Sequence, residues 1–139
     1  MKLSEHFTLE EFTNSDTAKR YRINNTPSLE QIENIKWLCQ MVLEPLRDHF
    51  KRPIRITSGY RSPELNKKIG GAEKSHHTAW ELFSAADIQI PGVSTPVVHA
   101  AIIALSLPFE QNILEHVASA GGWVHVSARK PKLQSFEIK

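Results

Sequence analysis

Residues Gln111–Ser127 read QNILEHVASAGGWVHVS, two short apolar runs on either side of the small-residue turn Ala118–Gly122. Runs of this kind, QNILEHV and then GWVHVS, predict two strands that fold back on each other as an antiparallel pair. Successive side chains of a strand point to opposite faces, so Trp123, His125 and Ser127 share one face and Val124 and Val126 the other. The valines are expected to face the core. His125 then points into a cleft bounded by an aromatic ring.

Working outward, AADIQI at 85–90 reads as a strand stopped by Pro91-Gly92, and PIRIT at 53–57 as another, ended by the turn SGYRSP. A weaker final strand is expected at 133–138. The N-terminal half is helical instead. Ile32, Ile35, Cys39, Val42, Leu43, Leu46 and Phe50 recur at three- and four-residue steps after Ser28. Ser28 with Gln31, and Thr8 with Glu11, have capping-box spacing, and Pro45 is expected to kink the long helix near its end. Trp37 and Met41 read as packing residues on this helix. A short helix is expected over 63–69, closed by Gly70-Gly71. A further helix follows Ser94, with Pro96 at its start and a buried stripe of Val97, Ala100, Ala101 and Ala104. Residues 1–27 form an extended or short-helical arm that NNTP breaks from the rest. Helices first and an antiparallel sheet afterwards predict one α+β domain over 1–139, with helices packed on a small antiparallel sheet.

The chain has 139 residues, 40% hydrophobic and 23% charged, which suits a single globular domain with a real core. A formal charge of +2 gives no electrostatic case for nucleic acid. Cys39 is the only cysteine, so neither an intramolecular disulfide nor a thiolate metal cluster is expected. No apolar run is long enough for a membrane span, and MKLSEHFTLEEF lacks the apolar region of a signal peptide. The expectation is a monomer made as a soluble cytoplasmic protein. Any action in the periplasm, at the cell wall or in a virion would follow its release.

Seven histidines are present, and His6, His49 and His99 are assigned no role. Asp87 ends SAAD on a strand whose alanines leave space around it. A buried carboxylate there needs a partner, and a cation would supply one. Two histidines and one carboxylate on separate segments, with the fourth position left to water, form a common catalytic zinc arrangement. Glu115, at the end of ILE, is the candidate base for that water. On spacing alone, a hydrogen-bonded His/Asp network without metal remains equally open.

The ordered motifs SGYRSPELN, GG…KS-x-H, AADI, PFEQNILE and GWVHVS resemble the M15 family of zinc D-Ala-D-Ala carboxypeptidases. The likeness is closest to the peptidoglycan-peptidase branch also found in phage proteins, and it covers nearly the whole chain. The family's fold is shared with vancomycin-resistance dipeptidases and the hedgehog signalling domain. The resemblance implies one zinc ion per chain, held by His77, Asp87 and His125, with Glu115 as general base. It places Arg61 on the scissile carbonyl or the substrate, and it makes peptidoglycan stem peptides the substrate class. Ser58, Tyr60, Trp123 and Ser127 are expected around the substrate. Ser58 and Tyr60 also build the turn, while Trp123 and Ser127 stand in the cleft wall or behind the ligands.

The family pattern has seven positions from ligand His to ligand Asp, whereas His77 and Asp87 are ten apart. Phe83 stands where the pattern has glycine. The extra residues within 78–86 leave three readings open. The loop bulges outward and spares both ligands, which is the reading adopted because surface insertions cost little. Alternatively His76 replaces His77 as ligand. In the third reading the site is broken, and the chain is a non-catalytic cell-wall-binding or virion-associated module. Glu81 is expected to be solvated, and Trp80, Leu82 and Phe83 to pack beside the cleft or to face a partner.

Overall fold

The computed structural model describes residues 1–116 and 122–132. Its helices are α1 (Leu9–Thr13), α2 (Asp16–Tyr21), α3 (Leu29–Leu38), α4 (Glu44–Phe50), α5 (Pro63–Ile69) and α6 (Thr95–Ala104). The strands are β1 (Arg55–Ser58), β2 (Phe83–Gln89), β3 (Gln111–Glu115) and β4 (Trp123–Arg129). They form one antiparallel sheet in the order β1-β2-β4-β3. This is the expected α+β architecture. The turn residues 117–121 and the weak strand expected at 133–138 lie outside the described residues.

Local chemistry explains where the helices begin and bend. At the start of α3 the Ser28 hydroxyl accepts from Gln31 N–H at 3.1 Å, and the Gln31 side chain accepts from Ser28 N–H at 2.8 Å. Two orphan donors are thereby satisfied. Pro45 lacks an N–H and its ring crowds the carbonyl four residues back. The turn before it, Cys39–Leu43, is accordingly widened into a π-helical one, and the helix runs on as α4.

One face of the sheet carries Ala86 and Ile88 of β2 with Val124, Val126 and Ala128 of β4, all of them buried. These pack with Ile35, Leu38, Val42, Leu43 and Leu46 of the long helix and with Val98 and Ile102 of α6. Burying each such side chain contributes about 1.5–3 kcal/mol. Two packing expectations need correcting. On α6 the buried residues are Val98, Ala101 and Ile102, while Val97 is 51% exposed. Apart from His99 the segment VVHAAIIA is apolar on every side, so hydrophobicity marks no face; Val98, Ala101 and Ile102 meet the core at three- and four-residue steps, while Val97 and Ile103 do not. Met41 is 38% exposed and faces outward.

The N-terminal arm is part of the core rather than a loose extension. Leu3, Phe7 and Phe12 are buried in it. The arm also pins the segment that builds the site: Tyr60 N–H donates to Phe12 O at 2.7 Å. Among the described residues no helix is long and apolar enough to cross a membrane.

Candidate metal centre

The sheet face opposite the valines carries Phe83, Ala85, Asp87 and Gln89 on β2, and Trp123, His125, Ser127 and Arg129 on β4. The register sets Asp87 directly across from His125. Directly opposed residues have Cβ atoms about 4.5–5.5 Å apart, within ligand-sharing reach. β1 departs from regular pairing here: Ile56 pairs with Ile88 but Ser58 with Asp87, so Thr57 is the extra residue of a bulge. The bulge turns Thr57 Oγ1 onto the Asp87 carbonyl at 3.2 Å and ends the strand beside the carboxylate.

His77 reaches the same point from a different element. It sits in the single 3₁₀ turn His76–Thr78 and is tied to the 59–61 turn in both directions. Its Nδ1 hydrogen-bonds the Gly59 carbonyl at 2.7 Å, and its own carbonyl accepts from Arg61 N–H at 2.9 Å. Gly59 is required for this: a Cβ there would stand 2.6 Å from the Phe12 Cα. His77 Nε2 lies 3.2 Å, and His125 Nδ1 3.0 Å, from the same oxygen, Asp87 Oδ1. The three ligand atoms lie within 4.8 Å of one another. His76 is turned away from this cluster, stacked on Phe83 with ring centroids 4.0 Å apart and hydrogen-bonded through Nδ1 to Ser127 Oγ at 2.8 Å. Of the two adjacent histidines, His77 is the one in the cluster.

A test of whether these residues suit a cation follows from proton counting. A carbonyl oxygen only accepts, so His77 Nδ1 carries the proton of that bond. Nε2 of the same ring lies 3.2 Å from Asp87 Oδ1; it donates there when the ring carries a second proton and offers a lone pair to a cation when the ring is neutral. Burial alone would raise the Asp87 carboxyl, but hydrogen bonds from His125 and His77 and the charge on those rings outweigh it and hold it at about 2. Asp87 is therefore an anion. A buried carboxylate between two imidazoles needs positive charge at that point, supplied by protons on the rings or by a metal in their place, and the donor set fits a zinc ion with N and O ligands.

Arg61 flanks the cluster. Its Nη2 is 3.9 Å from Asp87 Oδ2, and its Nη1 donates to Asn66 Oδ1 at 3.4 Å. Among the described residues its Nε has no hydrogen-bond partner. Gly71 leaves the room Asn66 needs, since a Cβ would fall 2.2 Å from Asn66 Oδ1. The guanidinium is thus held at the ligands with donor capacity to spare. A cavity of about 280 Å³ runs from Arg61 and Ser58 to Ser15 and Asp16 at the start of α2.

Glu115 shares the cleft face, paired across the strands with Trp123, whose indole N–H donates to its Oε1 at 3.1 Å. His125 is the diagonal neighbour of Glu115, and diagonal neighbours are separated by roughly 7–8 Å. The Glu115 carboxylate is not among the atoms that cluster at Asp87.

Tyr60, which also lines the cavity beside Arg61, and Ser127 take the supporting places expected of them in the turn and behind the cluster. Tyr60 is buried, with its hydroxyl committed to Gln31 Oε1 at 3.2 Å. Ser127 is fully buried, and its hydroxyl serves Gln111 N–H at 3.1 Å as well as His76. Both brace the site from behind, because the backbone around them left their polar atoms in need of partners.

The extra segment between His77 and Asp87 is accommodated by left-handed backbone at Ala79 (φ 53) and Glu81 (φ 49). Asn34 of α3, itself buried, donates to the carbonyls of both residues at 3.3 and 2.8 Å. Trp80 and Phe83 then pack as a ring pair, centroids 4.9 Å apart, with Phe83 already the first residue of β2. The bulge leaves His77 and Asp87 in place.

Sequence reasoning missed Asn25, Asn34, Asn66 and Gln111. Asn25 bonds the carbonyls of Thr13 and Tyr60 and the N–H of Ser62, clamping the arm to the turn. In the sequence it is only part of a chain-breaking NNTP. Gln111 did carry a signal, since alternation along β3 sets it on the cleft face with Glu115.

Residues 5–127 match the family model described as Peptidase M15. No curated protein matches the chain.

Proposed function

The chain belongs to peptidase family M15, and from that premise we propose that it is a zinc-dependent hydrolase of peptidoglycan stem peptides. Its target is a peptide bond involving a D-amino acid. The observation that carries this reading is the buried cluster in which His77 Nε2 and His125 Nδ1 both meet the anionic Asp87, with the three ligand atoms within 4.8 Å of one another. The substrate class rests on the resemblance to D-Ala-D-Ala carboxypeptidases.

A bound zinc ion supplies Lewis acidity, activating water near neutral pH and polarising a carbonyl. The protein does the rest. Glu115, steadied by the Trp123 indole, takes the proton of the attacking water and returns it to the leaving amine. Arg61, steadied by Asn66, donates to the carbonyl oxygen as negative charge builds on it. The cavity beside Arg61 and Ser58 holds the neighbouring part of the peptide. Asp87 and the two imidazoles stay fixed throughout, being locked from behind.

The test is incubation of zinc-loaded protein with purified muropeptides, followed by chromatography and mass spectrometry. Cleavage that disappears in a chelator and returns with zinc is expected. Zinc-loaded protein that binds muropeptides and leaves them intact would instead identify a binding module.

A further inference from the structure

We propose that Gln111 is a positioning residue of the metal centre, one that sets which nitrogen His125 offers to the metal. The proposal rests on the metal-binding part of the function above. His77 has its tautomer dictated by a backbone carbonyl, whereas His125 depends on a side chain: its Nε2 meets Gln111 Oε1 at 2.8 Å while its Nδ1 faces Asp87. When the amide oxygen accepts from Nε2–H, the lone pair of Nδ1 is free for the metal. Without that acceptor the ring loses the bond that fixes its proton and its orientation.

Gln111 is built to hold this position. It pairs with Ser127 across β3 and β4, and its backbone N–H donates to Ser127 Oγ at 3.1 Å. Glu110 N–H donates to the Ser127 carbonyl at 2.8 Å. Ser127 is in turn bonded to His76, which stacks on Phe83. The ring that replaced glycine at the end of the extra segment thus buttresses, through His76 and Ser127, the residue that orients a ligand on another strand. An amide at position 111 suits this role, since it makes a neutral acceptor that adds no charge to the site.

The experiment measures zinc affinity by competition with a chromophoric chelator for the wild type, Gln111→Leu and Gln111→Glu. Nitrogen-15 spectra of the histidine rings are recorded on the same zinc-loaded samples. Removing the acceptor should weaken zinc about 10–100-fold, the usual effect of losing a ligand's outer partner. Gln111→Glu restores an acceptor and should bind within a few-fold of wild type. The His125 Nε2–H resonance should be visible in wild type and Gln111→Glu and lost in Gln111→Leu. If Gln111→Leu binds zinc like wild type with that resonance unchanged, the assignment is overturned while the metal centre stands. If Gln111→Leu does not fold, a Gln111→Glu protein that folds but binds zinc more than tenfold more weakly overturns it equally. Wild type that takes up no zinc removes the metal centre and this inference with it.

Discussion

Asp87 and Glu115 are carboxylates on one face of one sheet, and their neighbours give them different work. Asp87 lies beside two imidazoles, whose hydrogen bonds and charge outweigh burial and hold it ionised, with the Arg61 guanidinium 3.9 Å away. Glu115 instead accepts an indole N–H from Trp123. Their substitutions should therefore separate. Asp87→Asn should abolish tight zinc binding. Glu115→Gln should retain zinc and lose about 10²–10⁴ in turnover, the range for removing a general acid–base group. Arg61→Met should also keep zinc while kcat falls about 10²–10³, as when an oxyanion donor is removed. Zinc titration and muropeptide turnover on the same preparations check all three; loss of zinc from Glu115→Gln would contradict its exclusion from the ligand set. His125 was legible because strand alternation assigns faces from sequence, and the register sets it across from Asp87; Asp87 and Glu115 were picked out by their place in the motifs. The hydrogen-bond partners of Tyr60 and Ser127 were not legible, because which group a polar side chain meets depends on neighbours from distant segments.

At the scale of elements, the extra residues after His77 depend on a helix more than forty positions earlier. Asn34→Leu leaves the carbonyls of Ala79 and Glu81 without their donor. The expected loss is about 1–3 kcal/mol, the cost of stranding buried polar groups, read as a lower urea midpoint with an unchanged slope. Zinc affinity should fall as well, since the segment ends at a ligand. An Asn34→Leu protein with wild-type stability would show that the segment holds its path without α3. The helix bearing Asn34 was plain from its apolar period. That a polar residue within it secures a loop was not, because left-handed backbone at alanine and glutamate leaves no compositional mark. The α6 stripe was misread for a related reason: a segment apolar on every side gives periodicity nothing to measure.

Over the whole molecule, the arm is fastened to the long helix by Glu44, which accepts from Ser4 Oγ at 2.6 Å and His6 N–H at 2.7 Å and pairs with His6 Nδ1 at 2.7 Å. Burial raises the Glu44 carboxyl, yet these hydrogen bonds outweigh it and bring it below its ordinary 4.5. A carboxyl lowered on folding contributes stability above its unfolded value and loses it as pH falls through the folded one. Glu44→Gln should thus cost about 1–2 kcal/mol near pH 7, the scale of hydrogen bonds to a charged group. The difference from wild type should shrink toward pH 3. Urea unfolding at both pH values checks this, and a difference independent of pH would contradict it. His6, assigned no role from sequence, is part of this clamp, which only the folded arm brings together.

Zinc should stabilise the whole domain, since a ligand that binds only the folded state at about 100 times its Kd adds roughly 2.7 kcal/mol. That stabilisation depends on where the ion sits. The most direct measurement is anomalous diffraction from zinc-soaked crystals, recorded on either side of the zinc absorption edge. One peak per chain is expected, bonded to His77 Nε2, Asp87 and His125 Nδ1 at about 2.0–2.2 Å. No peak at that place, or a zinc ion held by other residues, would contradict the account.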